Sequence, residues 1–487
     1  MLLPPIAAVV GVCRRCWCYH QQLTAANRQL ITANRQPTTN FQKLPKPLKD
    51  HPQPPRAPWR QGVAFWCLAA VLTGLFTFQH FRILSSLGIA ALVVLACTQP
   101  EMARKMAALT RHKAVPGLMG IFLVHAITIL YTDPVYYPQW WEGLVLKLPF
   151  LLLPPALALL GPWPARRLIL LYYFFLHLVF LAGLYSLGQY FFHYREINLS
   201  YNRAGVIPTL VHHVRFSLMV AFAVCIGIRL LWLRFYWRHP LEQTWIAALT
   251  LFLFVFLHLL AVRSGLIAFY SVAGAGLLYA FFIKRKLKAG LAGVVFLLSV
   301  SVLSFLLLPT VKEKINYTLY DLAQRHDETK ANTYSITGRL YSYRVGFSVW
   351  QQSPLVGWGM GDIHPAIGQT YHRLFPGIRP GAYLIPHNQL LYYLGLLGAA
   401  GLLFFLAAFY YPLVAFFRKA DVLLPVHYLI ITVSFLFEAT LETQVGLLYA
   451  LLFILLPMPV NHLPVQESDM KLKNNLPPLK APGTGMV

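Results

Sequence analysis

Acidic side chains are scarce in this sequence. Sixteen Asp plus Glu stand against 41 Lys plus Arg in 487 residues, a formal charge of +25. Charged residues of both signs make up only 12% of the chain, while 57% is hydrophobic, 14% is aromatic and the mean hydropathy is +0.56. A soluble domain carries about a quarter charged residues, so a water-exposed globular surface is excluded over most of the length. The basic excess forms no face with interleaved aromatics, which excludes the usual nucleic-acid footprint. Cysteine is sparse as well: Cys13, Cys16, Cys18, Cys67, Cys97 and Cys225, none of them between Thr310 and Asn388. That excludes a disulfide scaffold in this interval, and Cys13-x-x-Cys16 has no second pair at zinc-ribbon spacing.

What the chain does have is apolar runs of about 17–25 residues, the length that crosses a bilayer, recurring from Gln61 to Pro459. They predict an all-α polytopic membrane protein with spans near 61–79, 83–98, 116–131, 142–160, 167–191, 208–231, 242–262, 264–283, 289–309, 388–417, 422–440 and 444–460. Every second short loop is basic: Arg104, Lys105, Arg111 and Lys113; Arg166 and Arg167; Arg234 and Arg238; Lys284, Arg285, Lys286 and Lys288; Arg418 and Lys419. Short-loop Lys and Arg mark the cytoplasmic side and anionic headgroups, so twelve spans with both termini in the cytoplasm are expected. Residues 1–60, Pro-rich and basic with a small Thr24–Gln29 and Thr32–Gln36 echo, are expected to be a disordered cytoplasmic extension, and 461–487 a cytoplasmic tail. Spans one to nine then occupy 61–309, an extracytoplasmic loop 310–387, and the last three spans 388–460.

The 310–387 loop is the one long polar interval between apolar runs, and its content argues for an ordered, functional segment rather than a linker. Leu340, Tyr343, Phe347 and Trp350 recur at three- and four-residue spacing, an apolar stripe predicting a helix along the membrane rim with Arg339 and Arg344 at one edge. Gly357, Gly359 and Gly361 follow where backbone must turn tightly or approach another group closely.

Basic groups stand at the expected outer boundary. Arg215 lies in His212-His213-Val214-Arg215-Phe216-Ser217, Arg263 where two apolar runs meet without a proper loop, and His387 in Pro386-His387-Asn388 at the start of the tenth span. An Arg in apolar sequence costs about 2.5–3.5 kcal/mol on insertion scales and so needs a partner or a function. Two readings are open for Arg215 and Arg263: snorkelling to headgroups, or binding an anion, for which a diphosphate suits planar Arg forks. His387 reads either as a boundary or capping histidine or as a base that takes a proton from a sugar hydroxyl, with Asn388 beside it. His212, His213 and His364 compete for that role, with packing or lining as the alternative. Glu438 and Glu442, one helical turn apart, read as plain capping acids or as groups that orient a histidine or pair with an Arg.

At these residues the chain resembles the O-antigen ligase and polymerase superfamily of bacterial membrane glycosyltransferases, over about 62–460. The resemblance rests on Gly338 through Trp350, Pro354 through Gly361, Pro386-His387-Asn388, Gly395 and Gly398, His213 through Ser217, Arg263-Ser264-Gly265, and Glu438 through Gln444. It implies transfer of a glycan from undecaprenyl diphosphate to an acceptor hydroxyl on the periplasmic face of the inner membrane, without metal or cofactor. It also implies His387 as general base, with Arg215 and Arg263 holding the diphosphate. The ligase-like form implies lipid A-core as acceptor; a polymerase extending a lipid-linked glycan and a ligase acting on protein share the donor chemistry. The residues agree in mechanism. Direct attack needs a base on one side and an anion clamp on the other and predicts inversion, no hydrolase-like carboxylate pair is required, and Arg charge can replace a divalent cation. A transporter of an anionic solute is the reading from another class, disfavoured because no internal repeat is evident.

Overall fold

Apolar sequence of helical length forms helices throughout, and among the described residues there is no strand. The computed structural model describes residues 58–458 apart from 80, 82, 101, 110–112, 162, 202–204 and 419. The expected extension up to residue 57 and the expected tail lie outside the described residues. The helices are α1 (Pro58–Thr77), α2 (Ile83–Cys97), α3 (Met102–Leu109), α4 (Ala114–Ile127), α5 (Tyr137–Leu160), α6 (Ala165–Phe192), α7 (Tyr194–Tyr201), α8 (His213–Trp232), α9 (Glu242–Leu260), α10 (Arg263–Leu278), α11 (Leu287–Leu307), α12 (Pro309–Ala323), α13 (Ser335–Gln352), α14 (Gly359–Leu374), α15 (Gln389–Phe416), α16 (Leu423–Phe435) and α17 (Gln444–Leu455).

Among the described residues nine helical segments are long and apolar enough to cross a membrane: α1, α4, α5, α6, α8, α9, α10, α11 and α15, some with their short 3₁₀ or π extensions. The other three expected spans fall on the shorter apolar helices α2, α16 and α17, of 15, 13 and 12 residues. Burial differs sharply between segments. In α8 78% of the apolar window is buried against other helices, in α11 only 6%. The exposed side chains of α11, such as Leu291, Phe296 and Leu298, are apolar, which suits contact with lipid rather than water.

Two departures from expectation bear on the site. The sixth apolar run begins near 208, but its helix starts only at His213 and residues 205–212 are not helical. Pro208 stands in that stretch and lacks the backbone N–H that a helix interior needs. The 310–387 interval, expected to hold one amphipathic helix, contains three: most of α12, and all of α13 and α14. In α13 the Leu340, Tyr343, Phe347 and Trp350 stripe, expected along the membrane rim, is not the most buried face, and its Phe347 is 48% exposed. The most buried is the adjacent face with Gly338, Tyr341, Ser342, Val345, Gly346 and Val349. Small residues let backbones approach, and a Cβ on Gly346 would collide with the Pro386 ring just before His387.

The glycines after α13 do turn tightly, Gly357 and Gly359 having φ of +74° and +77°. Their loop docks into a break in α15 at Gly398, whose φ is +66°. There the Ala399 and Ala400 N–H groups donate to the Pro354 and Leu355 carbonyls at 2.9 and 3.2 Å, and Trp358 N–H donates to the Gly395 carbonyl at 3.0 Å. The broken helix thus satisfies its freed backbone groups with the loop, as irregular backbone in an apolar surrounding requires.

Candidate active site

The two Arg-bearing helices, α8 and α10, cross closely because Gly265 sits against Ser217, where an added Cβ would meet Ser217 atoms. Ser217 Oγ and Ser264 Oγ lie 3.5 Å apart at the crossing. The corner before α10 is as tight as its sequence suggests: Ala261 takes a left-handed φ of +49°, uncommon for a residue with a side chain, and Val262 is extended. Arg215 therefore leaves the first turn of α8, and Arg263 the first residue of α10.

Glu438 joins most of the site. After α16 ends at Phe435, the chain from 436 to 443 is irregular apart from a 3₁₀ turn at Thr440–Glu442. Glu438 there is 8% exposed; its Oε1 lies 3.5 Å from Arg215 Nη2, and its Oε2 lies 3.4 Å from His387 Nδ1 and 3.9 Å from Arg339 Nη2. Burial on its own raises this carboxyl's pKa. The bond from His387 and the charges of His387, Arg215 and Arg339 outweigh that and bring it down to about 2. An ionised carboxylate can only accept, so Nδ1 of His387 carries the proton in this pairing, and in the neutral form of the ring the lone pair is on Nε2. Of the two readings of Glu438, the geometry therefore favours the orienting one.

Arg263 donates from Nη2 to Ser335 Oγ at 3.2 Å, at the start of α13. Next to it is a cation the sequence did not reveal, Lys314 of α12, buried with its Nζ 5.6 and 5.7 Å from the ring centres of Tyr201 and Tyr317. Burial first, then the like charges of Arg263 and Arg339, push Lys314 down to about 8, with Asp321 pulling the other way. Asp321 is occupied: its carboxylate accepts from the Ile336 and Thr337 N–H groups at 2.7 and 3.0 Å, and from Thr337 Oγ1 at 2.8 Å. Four cations, Arg215, Arg263, Lys314 and Arg339, thus face two carboxylates. Arg215 Nε, moreover, is buried without a partner among the described residues. A buried surplus of positive charge with a free donor suits an anion.

The remaining sequence candidates are placed differently. Asn388 caps α15, its Oδ1 accepting from Leu391 N–H at 3.0 Å, while its Nδ2 reaches the Leu436 carbonyl at 3.5 Å. Arg344 is exposed and stacks on Tyr341 at 5.2 Å, away from the carboxylate that Arg339 meets. His213 packs against His212 with ring centres 4.4 Å apart, and His364 lies 6.4 Å from Tyr392. Among the described residues Glu442 meets neither His387 nor an Arg; it pairs with Lys147 at 2.7 Å. Sequence reasoning also passed over Tyr343, whose hydroxyl points to the His387 and Leu436 carbonyls at 2.9 and 3.2 Å and so ties α13 to both site segments. Its place in the α13 stripe was the available signal.

A cavity of about 200 Å³ opens beside Arg215, its surface mostly apolar from Phe78, Leu210, Val211 and Val445, with His212, Gln79, Thr443 and Gln444 also on the lining. Charge at one side and apolar walls at the other suit an anion with a lipid attached.

Glu438→Gln tests the orienting role. The amide keeps the size but can donate as well as accept, so the His387 ring loses its fixed tautomer. The glycan transfer that the family resemblance implies is expected to fall by about 10- to 100-fold without loss of fold. An unchanged transfer rate in the purified variant would remove Glu438 from the site.

Residues 246–406, about a third of the chain, match the family model described as O-Antigen ligase. That stretch contains Arg263, Lys314, Arg339 and His387, while Arg215 and Glu438 lie outside it. No curated protein matches the chain.

Proposed function

We propose that this chain, whose residues 246–406 match the O-antigen ligase family model, moves a glycan from undecaprenyl diphosphate to a hydroxyl of lipid A-core. The reaction takes place at the periplasmic face of the bacterial inner membrane, with both termini in the cytoplasm, and needs no metal. The observation that carries this reading is the pairing of His387 with Glu438 beside Arg215, Arg263 and Lys314, whose positive charge exceeds that of the carboxylates they face.

The acceptor hydroxyl gives its proton to His387 Nε2 as its oxygen attacks the anomeric carbon. The bond from that carbon to the phosphate oxygen breaks, and its electron pair leaves with the diphosphate. Glu438 stabilises the imidazolium that forms; Arg215, Arg263 and Lys314 hold the leaving charge. A single displacement inverts the anomeric centre. The apolar cavity beside Arg215 accommodates the first part of the lipid.

Proteoliposomes holding the protein, undecaprenyl-diphosphate-linked glycan and lipid A-core, with EDTA present, test the reading. Glycan on lipid A-core is the expected product. Growth of the lipid-linked glycan with the acceptor untouched would make the chain a polymerase. Unconsumed donor, with movement of an anionic solute across the bilayer, would make it a transporter.

Lys314 gives this site a pH signature. With its folded pKa at about 8, the ammonium in the free protein loses its proton as pH rises through 8, and with it part of the attraction for the diphosphate. For transfer, kcat/KM is expected to fall with pH through that range in the wild type. The decline should disappear in Lys314→Arg, which stays charged. A decline that persists in Lys314→Arg would assign it to another group.

A further inference from the structure

One turn along the chain from Glu438 lies a second ion pair that the proposed reaction does not use. Lys147, in the middle of α5, has a fully buried side chain. Its Nζ donates to Glu442 Oε1 at 2.7 Å and to the Leu441 carbonyl at 2.9 Å. Gln389 closes the knot: its Nε2 donates to the same Glu442 oxygen at 3.0 Å, and its Oε1 accepts from the Leu441 N–H at 2.7 Å. Both backbone groups of Leu441 are therefore held by side chains from other helices, and one of those side chains is two residues from His387.

An ion pair is an expensive way to fasten two helices. Burying both charges is costly, and well-packed apolar replacements are often neutral or stabilising. Geometry supplies a reason to keep it. The His387–Glu438 contact is 3.4 Å, near the outer limit of a hydrogen bond, so a displacement of a few tenths of an ångström in residues 438–442 would break it. Lys147, Glu442 and Gln389 fix that segment directly against the start of α15.

We propose that Lys147, acting through Glu442 and Gln389, is a positioning residue that sets the spacing between Glu438 and His387. The inference rests on the reading of His387 as base. Two variants separate positioning from plain stability. Lys147→Met leaves Glu442 buried without its counter-ion and is expected to lower both Tm and kcat. The charge-free double variant Lys147→Met with Glu442→Leu is expected to regain Tm but to keep kcat at least tenfold down, with KM for the lipid-linked donor unchanged because the cationic cluster is intact. Amide hydrogen exchange in 436–443 should rise in the double variant while α8 and α17 stay protected.

Recovery of Tm and kcat together in the double variant would overturn the proposal, as would unchanged exchange in 436–443. Should the double variant fail to regain Tm, Gln389→Met decides. It cuts the same link without stranding a charge, and normal kcat there would equally overturn the proposal. Wild type and His387→Ala are run alongside: no transfer by the wild type, or transfer by His387→Ala, removes the catalytic reading and the positioning role with it. The exchange measurement, which needs no activity, separates that failure from a segment that Lys147 never held.

Discussion

His387→Ala is expected to give a folded protein that binds the lipid-linked donor normally but transfers glycan about 10²- to 10⁴-fold more slowly, the range for loss of a general base. The fold should survive because little depends on the imidazole. Its polar contact among the described residues is Glu438, and the side chain is 20% exposed. The backbone anchors of residue 387, its N–H towards Ser342 Oγ at 3.4 Å and its carbonyl accepting from Tyr343, remain in alanine. Loss of the imidazole leaves Glu438 with Arg215 and Arg339, so no buried carboxylate is left unpaired. Transfer rates of the purified variant in proteoliposomes check this, with thermal unfolding as the control for fold.

Arg215→Ala and Arg263→Ala are each expected to lower transfer by about 10²- to 10³-fold, the scale for removing one preorganised group from a site where charge develops. Both should also weaken donor binding, in contrast to His387→Ala. The two changes differ in side effects. Without Arg215, Glu438 loses one of its partners, so the His387 pairing shifts as well; without Arg263, the Ser335 contact at the start of α13 is lost. Lys at either position should restore only part of the rate, since a single ammonium cannot reproduce a bidentate fork. Donor binding and turnover measured on the same preparations check this pair. Normal donor affinity in both Ala variants would mean the guanidiniums face headgroups instead.

The membrane frame was legible because it depends on local properties: apolar runs of spanning length became helices, three of them only 12–15 residues long. The start of α8 was misplaced by five residues because apolar composition alone does not register the effect of Pro208. At the site, Arg215, Arg263 and His387 stood out as charged or titratable groups at the edge of apolar sequence, and Glu438 as one of few acids. Lys314 did not stand out, since its burial depends on Tyr201, which belongs to a separate helix. The pairing of Glu442 was hidden for the same reason: Lys147 is 295 residues away in sequence and sits inside an apolar run. The inward face of α13 escaped because hydrophobic spacing points to the large side chains, whereas close approach to Pro386 selects the small ones.

The proposed reaction divides the labour between cations that hold the diphosphate and a histidine that takes the proton. Its most direct test measures equilibrium binding of the lipid-linked donor and single-turnover transfer in the same samples of wild type, His387→Ala and the Arg215→Ala/Arg263→Ala double variant. The predicted result is full binding with almost no transfer for His387→Ala, and loss of binding for the double variant. Near-normal transfer by folded His387→Ala, or undiminished donor binding by the double variant, would contradict it.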